Sequence, residues 1–182
     1  MIVKLERTMT AACVILVAED EDNDFVLLER AWARHSAKTT LIRARDGVEV
    51  IDYLSGTNGF EDRRLFPMPD LLLLDLKMPR RGGLEVLQWL RTKSPCRTLL
   101  TVILSSSKEE KDVNQAYALG ANSYLKKPTS YLEFLEMTNT LIEYWLRWVQ
   151  RPQLNASLDQ SHVSSPGFAH ITRPAHLDTA SE

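Results

Sequence analysis

Apolar residues fall into five short runs along the chain: Cys13 to Ala18, Thr39 to Ala44, Asp70 to Leu74, Thr98 to Leu104 and Ser123 to Leu125. Four of the five are unbroken rather than alternating, the pattern of strands covered on both faces. Helical spacing fills the gaps. Phe25, Leu28 and Trp32 share one face, as do Val48, Ile51 and Leu54, then Leu84, Leu87 and Leu90, then Val113, Ala116 and Tyr117. Ser107 with Glu110, and Ser130 with Glu133, have the spacing of capping boxes, in which each side chain satisfies an orphan amide of the first helical turn. The last and longest helix is expected from about Tyr131 to Trp148.

Strand and helix repeated five times predict an α/β fold, a doubly wound five-stranded parallel sheet with helices on both faces. The common strand order is 2-1-3-4-5, and function then sits outside the carboxyl ends of the strands, at the switch point between the first and third. The longest internal connection, Ser55 to Pro69, is expected to be an ordered insertion. The chain divides into an N-terminal extension (1–12), one domain (13–149) and a polar tail (150–182). That tail carries Pro152, Pro166, Pro174 and many Ser, Thr, Asn and His with no apolar period, and is expected to be disordered.

Composition narrows the partners. The 182 residues carry 22 Lys+Arg against 24 Asp+Glu, a net charge of −2, which does not support a broad grip on nucleic acid or on an anionic membrane. Lys4 and Arg7 before the apolar run Met9 to Ala18 resemble the start of a signal peptide. Glu19-Asp20-Glu21-Asp22 follows at once, without a small-residue cleavage site, and the run reads as a buried strand. Two cysteines, Cys13 and Cys96, make no disulfide framework, and a cytoplasmic location is expected.

The predicted topology brings Glu19 and Asp20, Asp75, Ser105 and Lys127 together, since each follows or ends a strand. Three converging carboxylates would repel one another in a dry site, so the site is expected to hold a cation. Oxygen-only ligands suit a hard divalent ion, and Mg2+ characteristically takes one or two carboxylates. A carboxylate beside Mg2+, an ammonium and a hydroxyl can act as nucleophile toward a phosphoryl group, forming an aspartyl phosphate. Asp75 ends the run Leu71-Leu72-Leu73-Leu74 at the switch point and is the leading nucleophile. Glu21, Asp22 and Asp24 read as loop or first-turn charges favoured by a helix dipole, Ser106 and Ser107 as loop and cap, and Lys126 as solvent-facing.

Four segments carry a family resemblance: Ile15-Leu16-Val17-Ala18-Glu19-Asp20, Leu73-Leu74-Asp75-Leu76-Lys77-Met78-Pro79, Ile103-Leu104-Ser105-Ser106-Ser107 and Tyr124-Leu125-Lys126-Lys127-Pro128. Together they resemble a response-regulator receiver domain of two-component signalling, over Val14 to Trp148, with a flavodoxin-like fold. The resemblance implies that Asp75 accepts phosphate from a histidine kinase and that Asp20 binds Mg2+ directly, as Asp75 does. It further implies that Glu19 assists through water and that the Lys77 backbone carbonyl completes the coordination. Ser105 and Tyr124 take the place of the switch pair, and Lys127-Pro128 matches a bond that is usually cis. Glu-Asp replaces the commoner Asp-Asp, Ser105 stands where Thr is frequent, Gly82 replaces a frequent Asp, and Lys77 lies on the path of the hydrolytic water. The Ser55–Pro69 loop and Glu143-Tyr144-Trp145-Leu146 look most like single-domain regulators paired with phytochrome-type kinases.

Two other chemistries on this pattern fit less well. A phosphohydrolase with an Asp nucleophile needs a second acid two residues on, where Lys77 stands, and a flavin-binding module needs a phosphate-cradling first loop, which the acids from Glu19 to Asp24 oppose. The expectation is therefore a phosphoacceptor rather than a turnover enzyme, with no output domain in the 34 residues after Trp148, signalling to a downstream protein through its own surface. Tyr144, Trp145 and Trp148 could be core, but a helix running past the sheet has little core to enter. They are read as an interface, including a homodimer through the fourth and fifth helices.

Overall fold

Continuous apolar runs become the middle layer of the molecule. In a computed structural model the residues described are 13–35 and 39–150; the expected extension over 1–12 and all but the first residue of the expected tail lie outside them. The strands are β1 (Cys13–Ala18), β2 (Thr39–Ala44), β3 (Leu71–Leu74), β4 (Leu100–Ser105) and β5 (Ser123–Lys126). They pair in parallel in the order β2-β1-β3-β4-β5, as the spacing predicts. The helices are α1 (Asp22–Trp32), α2 (Gly47–Ser55), α3 (Gly83–Thr92), α4 (Glu110–Ala118) and α5 (Tyr131–Leu141), the last continued by a π-helical segment, Ile142–Trp148.

Alternation along each strand separates two cores. Cys13, Ile15, Val17, Leu71, Leu73 and Val102 face α1 and α5, meeting Phe25, Leu28, Trp32 and Phe134. Val14, Leu16, Leu72, Leu74 and Ile103 face the other way, against Val50, Leu54, Val86, Leu87 and Leu90. All four leucines of β3 are at most 1% exposed, so the strand that carries Asp75 has no freedom to shift.

Several boundaries differ from the pattern in the sequence. Asp70 is not in β3: its Oδ2 accepts from the Val14 amide at 2.9 Å, a side chain standing in for a ladder rung. β4 starts at Leu100, because the Leu99 amide turns back to the Cys96 carbonyl at 3.0 Å. α2 buries Val50, Tyr53 and Leu54 rather than the Val48, Ile51 and Leu54 face. The reason is non-local: the Ser55–Pro69 connection folds back as an ordered loop and sets Phe60 and Phe66 against Tyr53, ring centroids 5.3 and 6.1 Å away. Arg63 locks that loop by donating to the Tyr53 and Leu54 carbonyls at 2.8 and 3.1 Å at the end of α2, where the Tyr53 carbonyl also accepts from the Gly56 amide at 3.2 Å.

The capping box at Ser130 forms, with Glu133 Oε2 accepting from the Ser130 amide and Ser130 Oγ from the Glu133 amide. The one expected at Ser107 does not. α4 starts after Glu109, and the Ser107 hydroxyl donates to Asp112 instead. In α4 only Ala116 is buried, and Tyr117 is half exposed. The interface reading of the last helix also needs correction at Trp145. The helix widens after Leu141, and the adjacent Trp145 and Leu146 both enter the core with Cys13, Ile15 and Leu41. Trp145 is 9% exposed against 55% for Tyr144 and 68% for Trp148.

Candidate metal and phosphoacceptor site

The ladder runs one residue past the strands and so brings their ends level. The Glu19 amide donates to the Ala44 carbonyl at 2.9 Å, the Asp75 amide to Ala18 at 3.0 Å and the Lys127 amide to Ser105 at 2.8 Å. Neighbouring strands lie about 5 Å apart. Side chains leaving these positions on one side must therefore touch. Lys127 Nζ lies 2.7 Å from Asp75 Oδ2 and 2.8 Å from Glu19 Oε2. Asp75, Glu19, Lys127 and Ser105 are all buried. Glu19, Asp20, Asp75 and Lys127 come together as expected, and Ser105 ends β4 beside β3, its Oγ accepting from the Ser107 amide at 3.4 Å.

Close packing behind Asp75 holds it. A Cβ on Gly83, at the start of α3, would overlap the Asp75 carbonyl oxygen, so glycine is required there. The Lys77 amide donates to Asp75 Oδ1 at 3.2 Å and orients the carboxylate, while the Lys77 side chain points to solvent. Lys127 reaches the site although every peptide bond among the described residues is trans, the Lys127–Pro128 bond included, contrary to the resemblance. Tyr124 is half-buried, and its hydroxyl donates to the Ser107 carbonyl at 3.0 Å, two residues beyond Ser105.

Charge is out of balance. Ligand oxygens of Glu19, Asp20 and Asp75 lie within 4.8 Å of one another, with a single ammonium among them. Burial pushes the Glu19 carboxyl up to about 7, against the hydrogen bond and charge of Lys127, and the neighbouring Asp75 adds to the rise. Burial works to lower the Lys127 ammonium, but its bonds to Asp75 and Glu19 more than reverse this and hold it above the usual lysine range. Asp20 Oδ1 is buried and has no hydrogen-bond partner among the described residues. A buried, acceptor-only oxygen without a donor is costly unless a cation completes it. Three carboxylates around such an atom suit a hard divalent ion.

Two residues belong to the site without having been singled out. Asp24, read as a first-turn acid, places Oδ2 3.0 Å from Lys127 Nζ. Arg43 donates from Nε to the Glu19 carbonyl at 2.9 Å and from Nη2 to the Asp20 carbonyl at 2.8 Å, clamping the acidic loop. Its signal was a cation inside the otherwise apolar and threonine-rich β2. Asp22, by contrast, is an exposed partner of Arg43 and Arg45; Ser106 lies in the loop after β4 and Lys126 is exposed, both as expected.

A family model described as response regulator receiver domain matches residues 15–139. The chain belongs to that family. Receivers are phosphoacceptors, and this receiver has relatives along nearly their whole length. It is 31% identical to the response regulator Rcp1 of Synechocystis sp. over 139 residues, 76% of this chain and 92% of that one. The crystal structure of the Mn2+-bound form of Rcp1 superposes with a TM-score of 0.71 at 30% identity, covering 78% of this receiver and 99% of Rcp1. RPA3017, a response regulator in red light signalling of R. palustris, gives 0.73 at 37% identity, covering 78% and 99%. The phosphorylated cyanobacterial phytochrome response regulator RcpA gives 0.73 at 29%, covering 79% and 100%. The receiver is thus similar to phytochrome-associated response regulators. No helix among its described residues is long and apolar enough to cross a membrane.

Proposed function

We propose that Asp75 accepts a phosphoryl group from a histidine kinase of the phytochrome-associated type, with Mg2+ held by Asp20, Asp75 and the Lys77 carbonyl, and by Glu19 through water. The observation that carries this is the pairing of Asp75 Oδ2 with Lys127 at 2.7 Å beside the unpartnered Asp20 Oδ1. One carboxylate oxygen of Asp75 forms a bond to phosphorus as the bond to the donor nitrogen breaks, and the donor leaves with the electron pair. Mg2+, when bound, supplies positive charge to the transferring oxygens. Lys127 and the Ser105 hydroxyl stabilise the others, and the Lys77 amide keeps Asp75 aimed. Asp24 keeps the ammonium in place when Asp75 changes charge.

Ser105 and Tyr124 form the switch pair in this reading: a phosphoryl group drawing the Ser105 hydroxyl biases the Tyr124 ring and the β4–α4 loop to which it is bonded. The surface that reads the change is made by α4, β5 and α5, where Tyr117, Leu132, Tyr144 and Trp148 are 50 to 75% exposed. A downstream protein or a second copy would use it, and a cytoplasmic location belongs to the same proposal.

Wild type and Asp75→Asn are incubated with Mg2+ and acetyl phosphate, then weighed intact. A single phosphoryl adduct on wild type alone is expected. An adduct on both, or on neither while both are folded, removes Asp75 from its role. For self-association, sedimentation of wild type against Trp148→Ala is the appropriate pair, because Trp145 is core.

A further inference from the structure

Five consecutive residues at the end of β2 and the start of α2 each bond to one of the two loops that carry the site or, for Arg45, to the first residue of α1. Arg43 holds the β1–α1 loop through the Glu19 and Asp20 carbonyls. The Ala44 carbonyl accepts from the Glu19 amide at 2.9 Å. Arg45 Nη1 donates to Asp22 Oδ1 at 2.8 Å. Asp46 reaches the opposite way, to the loop after Asp75: its Oδ2 accepts from Arg80 Nε at 2.6 Å and also from Arg80 Nη2. The Gly47 amide donates to the Arg81 carbonyl at 3.2 Å, and a Cβ at Gly47 would overlap that oxygen.

The grip on the second loop is specific. Asp46 is 4% exposed, and its other oxygen caps α2 by accepting from the Val48 and Glu49 amides at 2.8 and 3.0 Å. Arg80 is held in the left-handed region, at φ 59°, a conformation that a non-glycine residue keeps only when its surroundings demand it. Three residues upstream is Lys77, whose amide orients Asp75. One loop therefore brings Asp20 and the other the Lys77 segment, and the Arg43–Gly47 segment is bonded to both.

We propose that Arg43–Gly47 is a bracket that sets the separation of the two ligand-bearing loops, with Asp46 and Arg80 as positioning residues for divalent-cation binding. They touch no reacting atom and act through the Lys77 segment. The inference rests on the metal reading given above. Groups bonded directly to a metal ligand typically change affinity ~10–100-fold when lost; Asp46 and Arg80 act one step further back, and the low end of that range is expected for them.

The test uses the intact chain, with Mg2+ as probe. Arg80→Met keeps the apolar stem of an exposed residue, and Asp46→Asn keeps a side chain that caps α2 about as well while removing the charge that Arg80 needs. Mg2+ affinity is measured by calorimetry for wild type, both single variants and the double, with Asp20→Asn as the loss-of-site control. Each single variant is expected to bind Mg2+ about tenfold more weakly, and the double no worse than the singles, because the two residues form one contact. In acetyl phosphate reactions the Mg2+ concentration for half-maximal labelling should rise in step, with the rate at saturating Mg2+ close to wild type. Affinities within twofold of wild type, with only a lowered melting temperature, would reduce the pair to a helix cap and overturn the bracket. Wild type that binds no Mg2+ overturns the bracket and the metal reading together. Mg2+ binding without labelling of Asp75 removes the phosphoacceptor reading only, and the affinities still decide the bracket.

Discussion

The receiver holds acids at two neighbouring places on opposite terms. At Asp46 one carboxylate meets one guanidinium and two helix amides, and both oxygens are used. At the strand ends Glu19 and Asp75 share one ammonium with Asp24, and Asp20 Oδ1 has no hydrogen-bond partner among the described residues. Both arrangements draw carboxylates away from water, yet only the first is complete in the protein's own atoms. A satisfied acid makes a joint. An excess of acids, held together by packing that the rest of the sheet supplies, stores repulsion that a bound cation would relieve.

Removing the one ammonium should have the largest effect. Lys127→Met leaves Glu19 and Asp75 buried without a counter-charge, and the metal-free protein should lose about 3–5 kcal/mol of unfolding free energy in urea titrations. A loss below about 1 kcal/mol would mean that the carboxylates reach water and that the contrast is overdrawn. Next comes the joint. Asp46→Ala removes the α2 cap and strands Arg80, for a loss of about 2 kcal/mol by the same measurement.

The sharpest form of the comparison is a change of sign. Asp20→Asn should stabilise the metal-free protein by about 1 kcal/mol, because it relieves repulsion without breaking a bond, while abolishing the rise in melting temperature that Mg2+ gives wild type. Destabilisation in that variant would show that the acids are not in excess. The smallest effect belongs to an ordinary exposed acid. Thr129 and Ser130 amides hold the Glu133 carboxyl below its usual range, so its contribution is present above the unfolded value and is lost as pH falls through the folded one. Glu133→Gln should lower the melting temperature slightly at neutral pH and converge with wild type in acid, which flattens the acid limb of the profile.

How far the chain can be read from its letters depends on whether the deciding contact is local. The strands were legible because a strand buried on both faces needs an unbroken apolar run, and the order 2-1-3-4-5 is the common one for five parallel strands joined by four crossovers. Glu19, Asp75, Ser105 and Lys127 were legible because each marks where such a run stops. The buried face of α2 was not, since Phe60 and Phe66 reach Tyr53 from a loop with no regular period. Trp145 was not, since its burial depends on the helix widening after Leu141, a change without a signature in spacing. Asp24 looked like any acid in a first helical turn until Lys127, from the far side of the sheet, arrived 3.0 Å away.

By itself the order of residues determined which groups stand at the strand ends, because hydrophobic burial on two faces dictates where each strand begins and stops. Only the tertiary structure decided which of them pair, which acid is left without a partner and which arginines brace the loops. Those outcomes depend on ladder register and on the removal of water, and both exist only once distant segments have packed together.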